Sequence, residues 1–263
     1  SRRAHGPYRY PLYGVPEDLI TVDLTSLHPQ LKGLRLKGKV VGNRLVPYDT
    51  RREITAKKDV KAPVLCWVDD PVDAFFLQIQ GSGRVLLDDG TWMRVGYADQ
   101  NGHPYRAIGG WLIENAGLTR DEMSMQRIRR WVRENPKRMR ELLNTNPNFV
   151  FFEERVGMGE ADGPLGSQAV PLTPGASVAV DRRYWKLGVP FVTEVTQDNP
   201  VMAFARPVIA QDTGGAIRGV IRFDYFWGFG DIAGAQAGRQ KSRAHAWVLV
   251  PRGMKPSDIM TAR

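Results

Sequence analysis

The stretch Gln211–Asp231, QDTGGAIRGVIRFDYFWGFGD, decides the reading of this chain. It sets three aspartates among glycines and aromatic residues, too aromatic for a flexible linker and too rich in glycine for a helix. Asp212, Asp224 and Asp231 stand 12 and 7 residues apart, so no single helical face can gather them. Two uses fit such a segment. One is chemistry done by carboxyl groups; the other is tight β-turn geometry, which favours Asp and Gly.

Working outward, carboxyl groups keep meeting strand-like runs. Asp181 follows SVAV, Asp212 ends VIAQ and Asp224 lies inside VIRFDYFW. An acid on a strand between aromatic residues can be desolvated, which readies it as a proton donor. Phe223, Tyr225, Phe226 and Trp227 would also suit stacking on sugar rings. The bland alternative is that these aspartates cap turns or pair with Arg182, Arg206 and Arg222.

The rest of the chain reads as mainly β, with helices in the middle. LKGKVVGNRLVPY and APVLCWVDD are short strands broken by turn residues, and AFFLQIQ alternates as a strand should. Asp89-Gly90 between two apolar runs signals a hairpin that returns through Trp92, Val95 and Tyr97. From His103 the period becomes helical, stopping at Gly117. Thr119-Arg-Asp-Glu122 has the form of a capping box opening a helix through Ile128 and Trp131, which Pro136 breaks. Residues 147–153 return to strand. The glycine-rich stretch between Glu153 and Gln168 marks a boundary, dividing the chain into residues 1–155 and 156–263.

Composition narrows the function. The chain has 263 residues and a single cysteine, so no intrachain disulfide forms. No apolar run approaches the roughly 20 residues of a membrane span. The start, Ser-Arg-Arg, has no apolar leader and no lipidation cysteine, and reads as a beginning lost to processing or as an internal one. The net charge is +9, with basic residues densest at 2–9, 32–39 and 126–140. The last of these reads first as a solvated helical face, with contact to a polyanion as the alternative. Four scattered histidines and the absence of HExxH or CxxC spacing argue against a metal site. Cys66, within VLCWV, reads as a buried structural thiol. Neither GFGDIAG nor QGSG completes a phosphate loop, so no nucleotide cofactor is implied and nucleic acid is not the expected partner.

The residues carry a family resemblance. DTGGAIRG, FDYFWGFGDIAGAQAG and AWVLVP resemble the three-aspartate domain of the membrane-bound lytic murein transglycosylase A family. YRYPLYGVPEDL, FFLQIQGSG, GYADQNGHPYRAIG, EMSMQRIRRW, LLNTNPNFVFF and PLTPGASVAVDRR follow the same family in the same order, covering nearly all of residues 7–251. The resemblance implies a double-psi β-barrel, here without its upstream part, and an inserted β-rich domain with a few helices, with a groove between them for a glycan strand. It implies cleavage of the β-1,4 bond from N-acetylmuramic acid to N-acetylglucosamine, leaving a 1,6-anhydromuramoyl end.

By motif, Asp224 is then the catalytic acid and base, with Asp212 and Asp181 in support. Gln80, Ser82, Tyr97, Asn101, His103 and Tyr225 are the expected substrate contacts. No cofactor or metal is needed. The implied setting is the periplasm, at the outer membrane through a lipidated N-terminus, as a monomer working on peptidoglycan strands beside wall-remodelling proteins. A hydrolytic glycosidase of the same barrel type and a non-catalytic wall-binding module are the alternatives.

Overall fold

The computed structural model describes residues 1–261, apart from 32, 33, 35, 121, 160, 199 and 216 and the side chain of Asp231. The basic run at 32–39, the Asp121 of the expected capping box and the Asp231 carboxyl thus fall wholly or partly outside the described residues. The chain divides into two compact units, Ser1–Gly157 and Met158–Arg263.

In the first unit the elements are β1 (Tyr10–Tyr13), β2 (Ile20–Val22), β3 (Leu36–Val41), β4 (Arg44–Pro47), α1 (Arg51–Ala56), β5 (Val64–Val68), α2 (Pro71–Gln80), β6 (Ser82–Leu86) and β7 (Trp92–Gln100). They are followed by α3 (Ile108–Ala116), α4 (Met125–Glu134), α5 (Met139–Leu143) and β8 (Val150–Glu154). The strands form three small sheets, ordered β1-β5, β2-β3-β4 and β6-β7-β8. Leu12, Cys66, Val95 and Phe152 interlock beneath two of them, so the one thiol is indeed a core residue. Burial pushes its pKa up. The helices pack separately around Phe75, Leu112, Trp131 and Leu142.

Residues 75–80, expected as strand, are helical. Asp70 accepts the backbone N–H groups of Val72 (2.7 Å) and Asp73 (3.3 Å), and Pro71 occupies the first turn, where a missing N–H costs nothing. Gly81, at φ 80°, supplies the left-handed ending. Val72, Phe75 and Gln78 are the buried positions, three apart, a helical interval that outweighs the local alternation. The expected hairpin forms, with Leu86 opposite Trp92 and Gly90 at φ 81° in the turn. The helix after Thr119 starts later than expected. Glu122 does accept from the Thr119 backbone and hydroxyl, but the cap of α4 is Ser124, whose hydroxyl takes the Arg127 N–H.

A buried polar frame fixes the loops of this unit. Arg51 donates to the carbonyls of Asn146 (3.1 Å) and Asn148 (2.6 Å) and to Gln78 (2.6 Å), while its guanidinium lies over Phe75 and Phe149. Burial drives its pKa down to about 9. Asp49 bridges Lys39 and Lys57; burial alone would raise its pKa, but the two ammonium groups outweigh it and hold the carboxyl low.

The second unit contains β9 (Ser177–Ala179), β10 (Pro190–Asp198), β11 (Val201–Asp212), β12 (Asp224–Tyr225), α6 (Gly230–Arg239), β13 (Arg243–Val248) and α7 (Pro256–Ile259). Its five-stranded sheet has the order β12-β9-β11-β10-β13, with only β9 and β11 parallel. Among the described residues the sheet stays open, since no pairing joins β12 to β13. Val178, Val180, Phe191, Val208 and Ala210 make its core. The run GVIRFDYFW contributes only two strand residues, and the segment after it forms the helix α6.

Removing the α2 cap tests the reassigned helix. Asp70→Ala is expected to cost about 1 kcal/mol, lowering the thermal midpoint of the first unit by roughly 2–4 °C, with Asp70→Asn nearly neutral. Circular dichroism melts of the three proteins check it.

Candidate active site

Strand β9 gathers the carboxyl groups. All three of its residues are buried, as a short strand flanked on both edges requires. Across one edge Ala179 faces Asp224 of β12, and across the other it faces Asp212 of β11. Residues directly opposite point to the same face of a sheet, so Asp212 and Asp224 share a face, their Cα atoms two strand spacings or roughly 10 Å apart. A bulge sets this register: Ala210 pairs with Val178, but the next paired residue is Asp212. Without it Gln211 would stand opposite Ala179. Bulges next to functional sites commonly re-aim a side chain in this way.

Alternation sends the neighbours of Asp224 the other way. Phe223 and Tyr225 pack on the core face, Phe223 against Phe191 (ring centroids 5.1 Å) and Tyr225 against Phe204 (5.5 Å) and Trp227 (5.8 Å). The expectation that flanking aromatics desolvate Asp224 therefore fails: its side chain is 46% exposed. Tyr225, expected beside the substrate, instead completes an aromatic cluster on the core face and lies 3.4 Å from the Thr193 hydroxyl.

Each carboxyl has its own partner. The Asp224 Oδ1 accepts from Arg222 Nε at 2.6 Å, a pair that raises the Arg222 pKa. Asp212 Oδ1 accepts from both the backbone N–H and the hydroxyl of Ser167, each at 2.9 Å, and that hydroxyl also meets Thr213 at 2.7 Å. Asp181 is buried. Arg183 grips it through Nε and Nη2, and its Oδ2 also takes the Gly219 N–H at 2.8 Å. The Arg183 guanidinium, outweighing burial, holds the Asp181 carboxyl far below the usual range. Gly219 sits at φ 119°, where a side chain would be strained, so the turn leading to Arg222 and Asp224 is nailed to a buried anion.

Of the six expected substrate contacts, five lie in the first unit and Tyr225 in the second. In the first unit Tyr97 adjoins the turn that carries Gln80 and Ser82, a Cβ on Gly81 standing 3.7 Å from Tyr97 Cβ. Gln80 is exposed at the end of α2, Ser82 opens β6 opposite Gly96, and Tyr97 is 37% exposed on β7 opposite Phe152. Asn101 is only 1% exposed and fully committed. Its amide donates to the carbonyls of Asp49 and Pro147 and accepts from the Phe149 N–H, so its role is to staple loops rather than to grip a hydroxyl. His103 donates from Nε2 to the Tyr48 carbonyl at 2.7 Å, leaving only its second ring nitrogen for other work.

Arg183 and Gly219 were not singled out from the sequence, and Ser167 was weighed only as a nucleophile and set aside. Ser167 lies in the segment read as a boundary loop, but that loop folds back on itself. Leu172 N–H donates to Pro164, Gly166 N–H to Val170 and Gln168 N–H to Gln211. At Gly163 an added Cβ would stand 1.8 Å from the Leu172 carbonyl oxygen, so only glycine fits. Gly163 and Gly166, taken as looseness, are close packing against the backbone of Leu172 and Gln211, while Gly157 stands in open space. Among the described residues no group of His, Cys, Asp or Glu is placed to hold a metal ion.

Residues 176–250 match the 3D domain, a domain of the double-psi β-barrel type. Residues 1–153 match the MltA specific insert domain, and the chain belongs to the MltA family. It is 36% identical over 208 residues to membrane-bound lytic murein transglycosylase A of Escherichia coli K12, covering 76% of this chain and 55% of the relative. The chain thus spans little more than half the length of that relative. The crystal structure of MltA from Neisseria gonorrhoeae superimposes with a TM-score of 0.84 at 39% identity, covering 96% of this chain and 70% of that one. E. coli MltA with bound chitohexaose gives a TM-score of 0.74 at 31% identity, with coverages of 94% and 67%.

The Asp181 clamp makes an acid-stability prediction. A carboxyl whose folded pKa is depressed stabilises the fold fully above its unfolded value, near 4, and this contribution is lost as pH falls below that toward the depressed folded value. The urea midpoint of the second unit should therefore drop on acidification below about pH 4. Asp181→Asn should be less stable at neutral pH and should flatten the drop.

Proposed function

We propose that the chain is the part of a lytic transglycosylase that cuts the β-1,4 bond between N-acetylmuramic acid and N-acetylglucosamine in peptidoglycan. The observation that carries the reading is the exposed Asp224 held by register on the same sheet face as Asp212, in a chain of the MltA family. One carboxyl can suffice for this reaction. Protonated Asp224 donates to the leaving glycosidic oxygen as the C1–O bond breaks. The C6 hydroxyl of the same sugar then attacks C1 and returns its proton to Asp224. The nucleophile is intramolecular, so its effective concentration far exceeds that of a free reactant. A hydrolytic glycosidase would need a second carboxyl working with water.

In this reading Asp212, oriented by Ser167, contacts the sugar beside Asp224. Asp181 is a positioning residue that fixes the 217–222 turn. Gln80, Ser82, Tyr97 and the free side of His103 remain candidates for glycan contacts in the insert domain. The envelope is the setting, as the name of the E. coli relative implies for that protein, with glycan strands as the partner.

One observation favours a second reading, a glycan-binding module that does not cleave. Asp224 is exposed and its Oδ1 is held by Arg222 Nε at 2.6 Å, a settled ion pair rather than a carboxyl set in an apolar pocket.

Mass spectrometry of products from purified murein sacculi separates these readings. Transglycosylation predicts ends one water lighter than hydrolysis gives, and Asp224→Asn should lower their yield at least about a hundredfold. Hydrated reducing ends would point to a glycosidase. Retention of the protein on sacculi with no new ends from the unaltered chain would leave the binding module.

A further inference from the structure

The helices α4 and α5 follow one another with only Asn135 and the 3₁₀ turn Pro136–Arg138 between them. Residues 106–141 hold nine basic and five acidic side chains, +4 of the chain's +9. One face of this region is invested in the core through Ile128, Trp131, Val132, Leu142 and Leu143. Three of these five acids are engaged: Glu134 meets Arg127, Glu141 meets Arg138, and Glu122 accepts from Thr119, while Arg129 meets Asp73 from α2. Four further cations, Arg130, Arg133, Lys137 and Arg140, are exposed, and among the described residues no carboxylate pairs with them. Arg130 and Arg133, three apart, share a side of α4. Lys137 follows in the 3₁₀ turn and Arg140 on α5, so the four form a run of cations along consecutive elements. Packing does not require these charges, and mutual repulsion disfavours them without a counter-charge.

We propose that this cationic face rests on the anionic headgroups of a membrane, with the guanidinium groups bridging lipid phosphates. The inference rests on the envelope setting proposed above and adds the surface that meets the lipid. Three of the four groups are arginines, whose planar fork matches phosphate oxygens two at a time. No helix among the described residues is long and apolar enough to cross a membrane, so in this part of the chain contact is made at the lipid surface. A few basic residues within a Debye length of an anionic leaflet bind it reversibly, and salt weakens the contact.

Cosedimentation tests the face directly. The chain should pellet with vesicles of equal parts phosphatidylglycerol and phosphatidylcholine, not with pure phosphatidylcholine, and should be released by salt. Replacing Arg130, Arg133, Lys137 and Arg140 with Gln should weaken binding by about fivefold per cation removed. A charge-matched control, with Gln at the exposed Arg44, Lys58, Lys241 and Arg252, should lose much less. Equal losses in the two variants, or no loss in the first, would overturn the proposal. So would loss of sacculus binding with vesicle binding intact, which would assign the face to wall-borne carboxylates. Circular dichroism confirms that both variants fold. Murein cleavage is scored separately, so failure of the enzymatic reading and failure of the membrane face appear in different assays.

Discussion

The register of a three-residue strand governs the second unit of this molecule. β9 lies between β12 and β11, and Ala179 is the residue that both carboxyl-bearing strands face. Strand pairing in a half-buried sheet tolerates no slip of one residue, because a slip sends every side chain to the other face. Val178 and Val180 lock β9 in phase by burying themselves in the sheet's core. With that phase fixed, the bulge before Asp212 becomes decisive: it turns Asp212, rather than Gln211, toward the face that Asp224 occupies. Gln211 is used instead to accept from the buried Ser177 hydroxyl at 2.5 Å.

Around this register the three aspartates divide their work by environment. Asp181, buried and held between Arg183 and the Gly219 N–H, is an anchor. Asp212 is half-buried and fixed by two donors from Ser167, so its second oxygen is the one left to face outward. Asp224 is the most exposed and, among the described residues, is met only through Arg222. A carboxyl that must change protonation during a reaction belongs at the exposed, singly held position, and one that must never change belongs in the clamp.

Much of this architecture is legible in the sequence, but unevenly. The Asp89-Gly90 hairpin, the helical middle, the stop at Gly117 and the break at Pro136 follow from local rules that tertiary packing did not override. The strand reading of residues 75–80 failed because alternation was weighed above the Asp70-Pro71 start and the Gly81 stop, two signals that agree on a helix. The aspartates could be found by motif. Of the partners they use, Arg222 is named by the sequence beside Asp224; the distant ones are not. Ser167 is 45 residues from Asp212 and Gly219 is 38 from Asp181, separations that no local pattern encodes. Asn101 shows the opposite failure: a polar residue in a loop-like motif looks like a binding group until its burial shows every amide atom already used.

The most direct test of the central claim follows the aspartate carboxyl carbons by NMR while chitohexaose is added to protein labelled at aspartate. The account predicts that the Asp224 and Asp212 signals move together along one binding curve while Asp181 stays still. Movement of Asp181, or of Asp212 without Asp224, would mean that the carboxyl groups do not form one glycan-facing surface and would contradict the account.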